Sequence, residues 1–187
     1  MRPNLEAIKS VIQRTRRPDG VVFDEGSKEA GVDSYLQRIK ELPEKSKFDR
    51  SDLLIDAFLI QREGGLAIYY APFDFINQDA RLALVGITPG WQQMEIAFRV
   101  ARQNLAAGLS STQALRNAKT EASFAGTMRR NLIEMLDGIG VAKELDIRST
   151  SVLFEDRQCL VHTTSAVRYP VFVHGDNYTG HSPQLMR

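Results

Sequence analysis

Apolar residues recur along this chain first at helical and then at strand-like spacing. From residue 4 to about 15, Leu5, Ile8, Val11 and Ile12 fall three or four apart, and Tyr35, Leu36, Ile39 and Leu42 repeat the interval before Pro43. Both stretches predict short amphipathic helices. The connectors "RRPDGVVFDEGSKEAG" and "PEKSKFDR" are polar and too short to separate domains. Residues 1–45 are therefore expected to form a helical extension packed on a single domain spanning 1–187. "DLLIDAFLIQ" at 52–61 is apolar enough for a buried helix or strand; Gly64-Gly65 ends it, and "LAIYYAPF" has the composition of a strand.

"RLALVGI" is nearly continuously apolar, the pattern of a parallel strand with helices over both faces. It breaks into "TPG", after which Met94, Ala97, Phe98, Ala101 and Leu105 share one helical face while Arg99 and Arg102 fall elsewhere on the surface. Ser110 with Gln113 makes a capping box opening a further helix. Met128, Leu132, Met135, Leu136 and Ile139 predict a third, ending before Gly140. "CLVHTTSAV" at 159–167 reads as another central strand, ending near Pro170. Strands alternating with helices predict an α/β fold in three layers, with a central, mostly parallel sheet flanked by helices.

Composition narrows the classes. With 43% hydrophobic and 25% charged residues, the 187-residue chain reads as one globular domain, and a formal charge of +1 leaves any DNA-binding face to a local cluster. The single cysteine, Cys159, excludes a disulfide framework or cysteine-ligated cluster within one chain and reads as a small buried hydrophobe. No stretch resembles a signal peptide or reaches bilayer length, so a cytoplasmic protein without a membrane partner is expected. His162 reads as a hydrogen-bonded core histidine. His174 and His181, seven apart, match no zinc pattern, so no metal is expected.

The turn "GITPG" at 86–90 follows a strand expected to be parallel and precedes a helix. Ligands of parallel sheets bind beyond the carboxyl ends of strands, glycines let backbone approach closely, Pro89 fixes φ, and a helix amino terminus favours anions. The same five residues also suit a plain strand-to-helix connection. Neither a dinucleotide fingerprint nor a phosphate-loop lysine is present.

Three motifs in order resemble the uracil-DNA glycosylase superfamily across roughly residues 66–187. "LALVGITPG" is similar to its first motif, Gly-x-x-Pro-Gly at a strand end. "SFAGTMRRNLIEMLDGIGV" resembles its Phe-containing loop and following helix, and "CLVHTTSAVRYPVF" resembles the later strand ending at a base-reading Asn. The resemblance implies a glycosylase-like fold, DNA as partner, no cofactor, and a flipped base attacked at its sugar bond by water. It implies that Gly86, Ile87 and Thr88 position that water, that Phe124 stacks on the base, and that Ser165, Pro89 and Gly90 complete the base pocket. Trp91, Arg129, Arg168 and Asn177 would then contact DNA.

The chain departs from this pattern in three places. Thr88 stands where several branches carry Asn or Asp, and threonine is no carboxylate base at neutral pH. Ser165 stands at the Asn position, giving one hydroxyl in place of a paired donor and acceptor. No His-Pro-Ser-like segment follows, so the chain reads as C-terminally incomplete, with that part supplied from elsewhere or by a protein partner. No lysine sits within the three motifs to favour a Schiff base. Two other classes therefore stand beside the glycosylase: an inactive domain of the same fold that binds nucleic acid or a protein, and a small-molecule base- or nucleotide-binding protein.

Overall fold

The computed structural model describes residues 31–180. The helix expected over residues 4–15, and His181, lie outside them. In chain order the elements are α1 (Val32–Glu41), the single turn α2 (Arg50–Leu53), β1 (Leu59–Glu63), β2 (Leu66–Tyr69), β3 (Leu82–Gly86), α3 (Trp91–Ala106), α4 (Ser111–Ala122) and α5 (Thr127–Gly138). A short α6 (Val141–Glu144), 3-10 turns at Thr150–Phe154 and Gln158–Leu160, β4 (Val161–Ser165), β5 (Val171–Val173) and β6 (Asp176–Asn177) complete the order. "DLLIDAFLIQ" thus divides between the end of α2 and the start of β1. Among the described residues no helix is long and apolar enough to cross a membrane.

The fold is mixed α/β, but the sheet is not mostly parallel. Four strands pair antiparallel in the order β1-β2-β5-β6, and a separate parallel pair joins β3 to β4. Connection length decides this. Two residues link β1 to β2 and β5 to β6, and chains that short can only reverse direction. Between β3 and β4 the chain passes through α3, α4 and α5, a crossover that returns it parallel. The register from Leu82↔Val161 to Gly86↔Ser165 brings the carboxyl ends of both strands together. Ala166 N–H then donates to Gly86 O at 2.8 Å and Val167 N–H to Ile87 O at 2.9 Å, so the two chains leave the ladder still paired.

Two apolar clusters hold the fold. The larger joins Tyr35, Leu36 and Ile39 of α1, the predicted stripe Met94–Leu105 of α3, the alanines of α4, and β2 with β5. Tyr35 stacks on Tyr70 at 4.0 Å and Phe58 meets Phe98 edge-on at 4.7 Å. The smaller gathers Leu84 of β3, Val161 of β4, Leu136 of α5, and Leu145, Leu153 and Phe154.

Here the sequence expectations need correction. β3 is covered on one face only: Leu84 is buried, whereas Ala83 is exposed and Val85 is 64% exposed. On α5 it is Leu132, Ile133 and Leu136 that pack inward, while Met128, Met135 and Ile139 are exposed. A five-residue apolar set on a helix admits two adjacent stripes, and the position of Leu153 and Phe154 selects the one containing Ile133. Cys159 is exposed because it falls in the 3-10 turn before β4.

The capping box opening α4 forms as expected. Ser110 Oγ accepts from Gln113 N–H at 3.3 Å, and Gln113 Oε1 accepts from Ser110 N–H at 3.2 Å. Ser110→Ala is expected to lower stability by about 1 kcal/mol, the usual value of such a cap. Urea melts of the two proteins, compared at equal m-value, measure it.

Candidate functional site

A cleft of about 620 Å³ opens at the joined carboxyl ends of β3 and β4, bounded by the GITPG turn, the loop from α4 to α5, and β6. That volume suits a small organic ligand. Of the residues singled out from the sequence, Gly86, Ile87, Thr88, Pro89, Gly90, Phe124, Ser165, Arg168 and Asn177 all line it. Trp91 and Arg129 do not. Trp91 lies under the Arg50 guanidinium, 5.3 Å from its ring centre. Arg129 donates to the carbonyls of Thr120, Glu121 and Ser123 and covers Phe154, so its donors knit the α4–α5 loop together.

Space, not unusual backbone angles, explains the glycines of the turn. Neither Gly86 nor Gly90 has a positive φ. A Cβ at Gly86 would sit 3.3 Å from Ser165 Oγ and 3.7 Å from the Phe124 ring, and one at Gly90 would sit 3.3 Å from the Asn177 carboxamide. Asn177 needs that room because its Oδ1 accepts from Trp91 N–H at 2.8 Å, pinning the start of α3 to β6. Gln93 accepts from Gly90 N–H at 2.8 Å. Thr88 is no helix cap: its hydroxyl donates to Tyr169 O at 2.9 Å, which leaves the oxygen lone pairs as acceptors.

Phe124 is the strained element. Its φ of +53° is in the left-handed region, which costs a bulky residue on the order of 1–3 kcal/mol and persists only where surrounding structure imposes it. The preceding Ser123 supplies the constraint. Its hydroxyl donates to Lys119 O at 2.6 Å and lies 2.6 Å from Thr163 Oγ1, tying the loop to β4. The ring is held half-buried on the smaller cluster with the rest facing the cleft.

Behind this lining lies a buried charge network that the motifs did not reveal. Lys119 of α4 is 7% exposed, lines the cleft, and donates from Nζ to Phe75 O at 2.6 Å. Burial first, then the charge of Arg168, brings its pKa down to about 8. Asp74 accepts from the Tyr70 hydroxyl at 2.9 Å and the Tyr169 hydroxyl at 2.7 Å, and Arg168 lies 3.9 Å from it. Burial raises the Asp74 carboxyl above its ordinary value, against the pull of the two phenols. A signal for Lys119 was present, since it follows Leu115 by four on the apolar stripe of α4.

His162 faces the same network. Asn77 N–H donates to its Nδ1 at 3.3 Å, which requires that nitrogen unprotonated. Burial, then the charges of Lys119 and Arg168, lowers its pKa from 6.5 to about 4. The unfolded chain therefore binds the extra proton first as pH falls. The contribution of His162 to stability is complete above about 6.5 and is lost toward about 4. Asp74 acts in the opposite sense, because its raised carboxyl takes up a proton in the native state before the unfolded one. The paired comparison is thus the measurement: melting temperature between pH 7 and pH 4.5 is expected to fall more steeply for the wild type than for His162→Gln. Parallel profiles would exclude His162 as the source.

Comparison with known proteins adds one relative. The chain is 42% identical over 152 residues to the uncharacterized protein YoxB of Bacillus subtilis (strain 168), a match covering 81% of this chain and 59% of that protein. The chain thus spans less than two thirds of the length of the relative it matches. No family profile matches it, and no solved structure does.

Proposed function

We propose that the cleft recognises a nucleobase extruded from DNA, with a glycosylase-like fold around it, and that water attacks the sugar–base bond there. The supporting observation is convergence: the space beside Gly86 is bounded by Ser165 Oγ and the Phe124 ring, from three separate parts of the chain. Phe124 offers a π face, Ser165 a hydroxyl for the base edge, and Thr88 lone pairs for a water. The described lining includes no acidic side chain, so the chemistry rests on positioning and on charge stabilisation, not on a carboxylate base.

That same lack of a carboxylate favours one other reading, a base-binding domain of this kind that does not cleave. Duplex and single-stranded oligonucleotides carrying uracil, hypoxanthine or modified cytosines, treated with the protein and then with hot alkali, separate the two. Strand scission that Thr88→Val abolishes supports excision. Phe124-dependent binding without scission supports the non-cleaving domain, and absence of any base-dependent binding sinks both.

A further inference from the structure

The three sequence motifs hold no lysine, yet the fold brings one into the cleft. Lys119, four residues before Ser123, is almost fully buried and lines the cleft with Thr163 and Arg168. It also lines a small adjoining cavity with Phe75 and His162. Attack by water on the sugar–base bond makes no use of this amine.

A buried ammonium ordinarily has a carboxylate partner. Among the described residues no ion pair includes Lys119, and its Nζ donates instead to the Phe75 carbonyl at 2.6 Å. Asp74, whose charge favours the ammonium, is already engaged by the hydroxyls of Tyr70 and Tyr169. Arg168 is engaged as well, donating to the Tyr169 hydroxyl and lying 3.9 Å from Asp74. A guanidinium keeps its proton, so of these two cations Lys119 is the one that gives way. With a pKa of about 8, about a tenth of it is neutral at pH 7, against well under about a thousandth of an ordinary lysine.

A neutral amine has two N–H groups and one lone pair. The Phe75 carbonyl can only accept, so it takes an N–H and leaves the lone pair for an electrophile. The Ser123 hydroxyl, bonded to both Lys119 O and Thr163 Oγ1, sets Lys119 level with Thr163. Thr163 and Ser165 share one face of β4 and stand about 7 Å apart along it. That separation has the span of a nucleobase, which would fill it before cleavage and vacate it afterwards.

We propose that Lys119 captures the abasic product, its Nζ forming an imine with the aldehyde carbon C1′ of the ring-opened deoxyribose that enters the vacated space. This rests on reading the cleft as a base site. The lone pair attacks C1′, and the carbonyl oxygen gains the proton that the amine loses. The resulting carbinolamine expels one water to leave the C=N bond, with nothing oxidised or reduced. Water reverses the step and releases the product. A buried lysine of lowered basicity suits this chemistry, whereas exposed lysines are held as ammonium.

The test uses the full chain, an oligonucleotide carrying a preformed abasic site, and cyanoborohydride, whose hydride converts the imine to a stable secondary amine. Denaturing gels measure the trapped complex, and tryptic mass mapping locates it. The adduct is expected at Lys119, and Lys119→Arg and Lys119→Met should each lose most of the trapped yield. Arginine keeps the positive charge and an N–H for Phe75 O but supplies no amine nucleophile, so a merely electrostatic role would survive that change. Binding to an aldehyde-free abasic analogue should fall less than trapping does. Adducts mapping to other amines, or most of the yield surviving in folded Lys119→Arg, would overturn the proposal. So would free 2-deoxyribose being trapped as well as the strand at equal aldehyde concentration. If neither variant folds, the map on the wild-type chain decides.

Failure of the underlying reading looks different, because the abasic site is supplied ready-made. A Lys119 adduct without scission of any base-containing oligonucleotide would sink excision and leave the imine standing. Scission with no adduct at Lys119 would do the reverse.

Discussion

Asp74→Ala is expected to lower the melting temperature by roughly 5–15 °C, corresponding to about 2–4 kcal/mol in a domain of this size. That loss follows from what the carboxylate does. It accepts two hydrogen bonds, from Tyr70 at 2.9 Å and Tyr169 at 2.7 Å, and lies nearest to Arg168. Alanine leaves two buried phenols with no acceptor and Arg168 with no counter-charge. Each hydrogen bond to a charged group contributes about 1.5–3 kcal/mol. The total is reduced because Asp74 itself is held in a site that disfavours its charge, and removing it relieves that cost.

Asp74→Asn distinguishes the hydrogen bonds from the charge. Its carboxamide oxygen can accept from one phenol and its NH2 can donate to the other, so about half of the alanine loss is expected back. Thermal melts of the three proteins at pH 7 measure this. An alanine variant that melts within about 2 °C of wild type, under half the shift of a 1 kcal/mol defect at its upper range, would show that the network contributes no stability.

The parts legible in the sequence were those governed by local periodicity. The stripe Met94–Leu105 and the Ser110–Gln113 box depend on residues three or four apart, and both appear where the pattern puts them. The meeting of two of the motif segments was also legible, because "VGITPG" and "HTTSAV" each end a strand and parallel pairing aligns those ends. Sheet direction was misread. An apolar run such as "RLALVGI" shows hydrophobicity without showing what covers it, and Ala83 and Val85 are in fact exposed. The charge network was least legible. Asp74, Lys119 and Arg168 are separated by some 45 residues at each step, and only the tertiary fold makes them neighbours. The motifs contain no lysine because Lys119 precedes the Phe loop, on the buried side of a helix.

Phe124→Ala is expected to weaken binding of the preferred base by about fivefold to hundredfold, since stacking on an aromatic contributes about 1–3 kcal/mol per base. An ordinary core phenylalanine would behave otherwise, with alanine costing about 3–5 kcal/mol of stability and affecting binding only through unfolding. The two roles separate at a third variant. At φ +53° both Phe and Ala bear the left-handed strain, whereas Gly adopts that conformation freely. Phe124→Gly should therefore be more stable than Phe124→Ala by about 1 kcal/mol while binding the base no better, because neither carries a ring. Phe124→Tyr keeps the stacking face and should keep most of the affinity. Calorimetric titration and urea melts on all four proteins give the result. If affinity tracks stability across the set, Phe124 is a packing residue; if affinity tracks the presence of a ring, the strain fixed by Ser123 and Thr163 serves to aim that ring into the cleft.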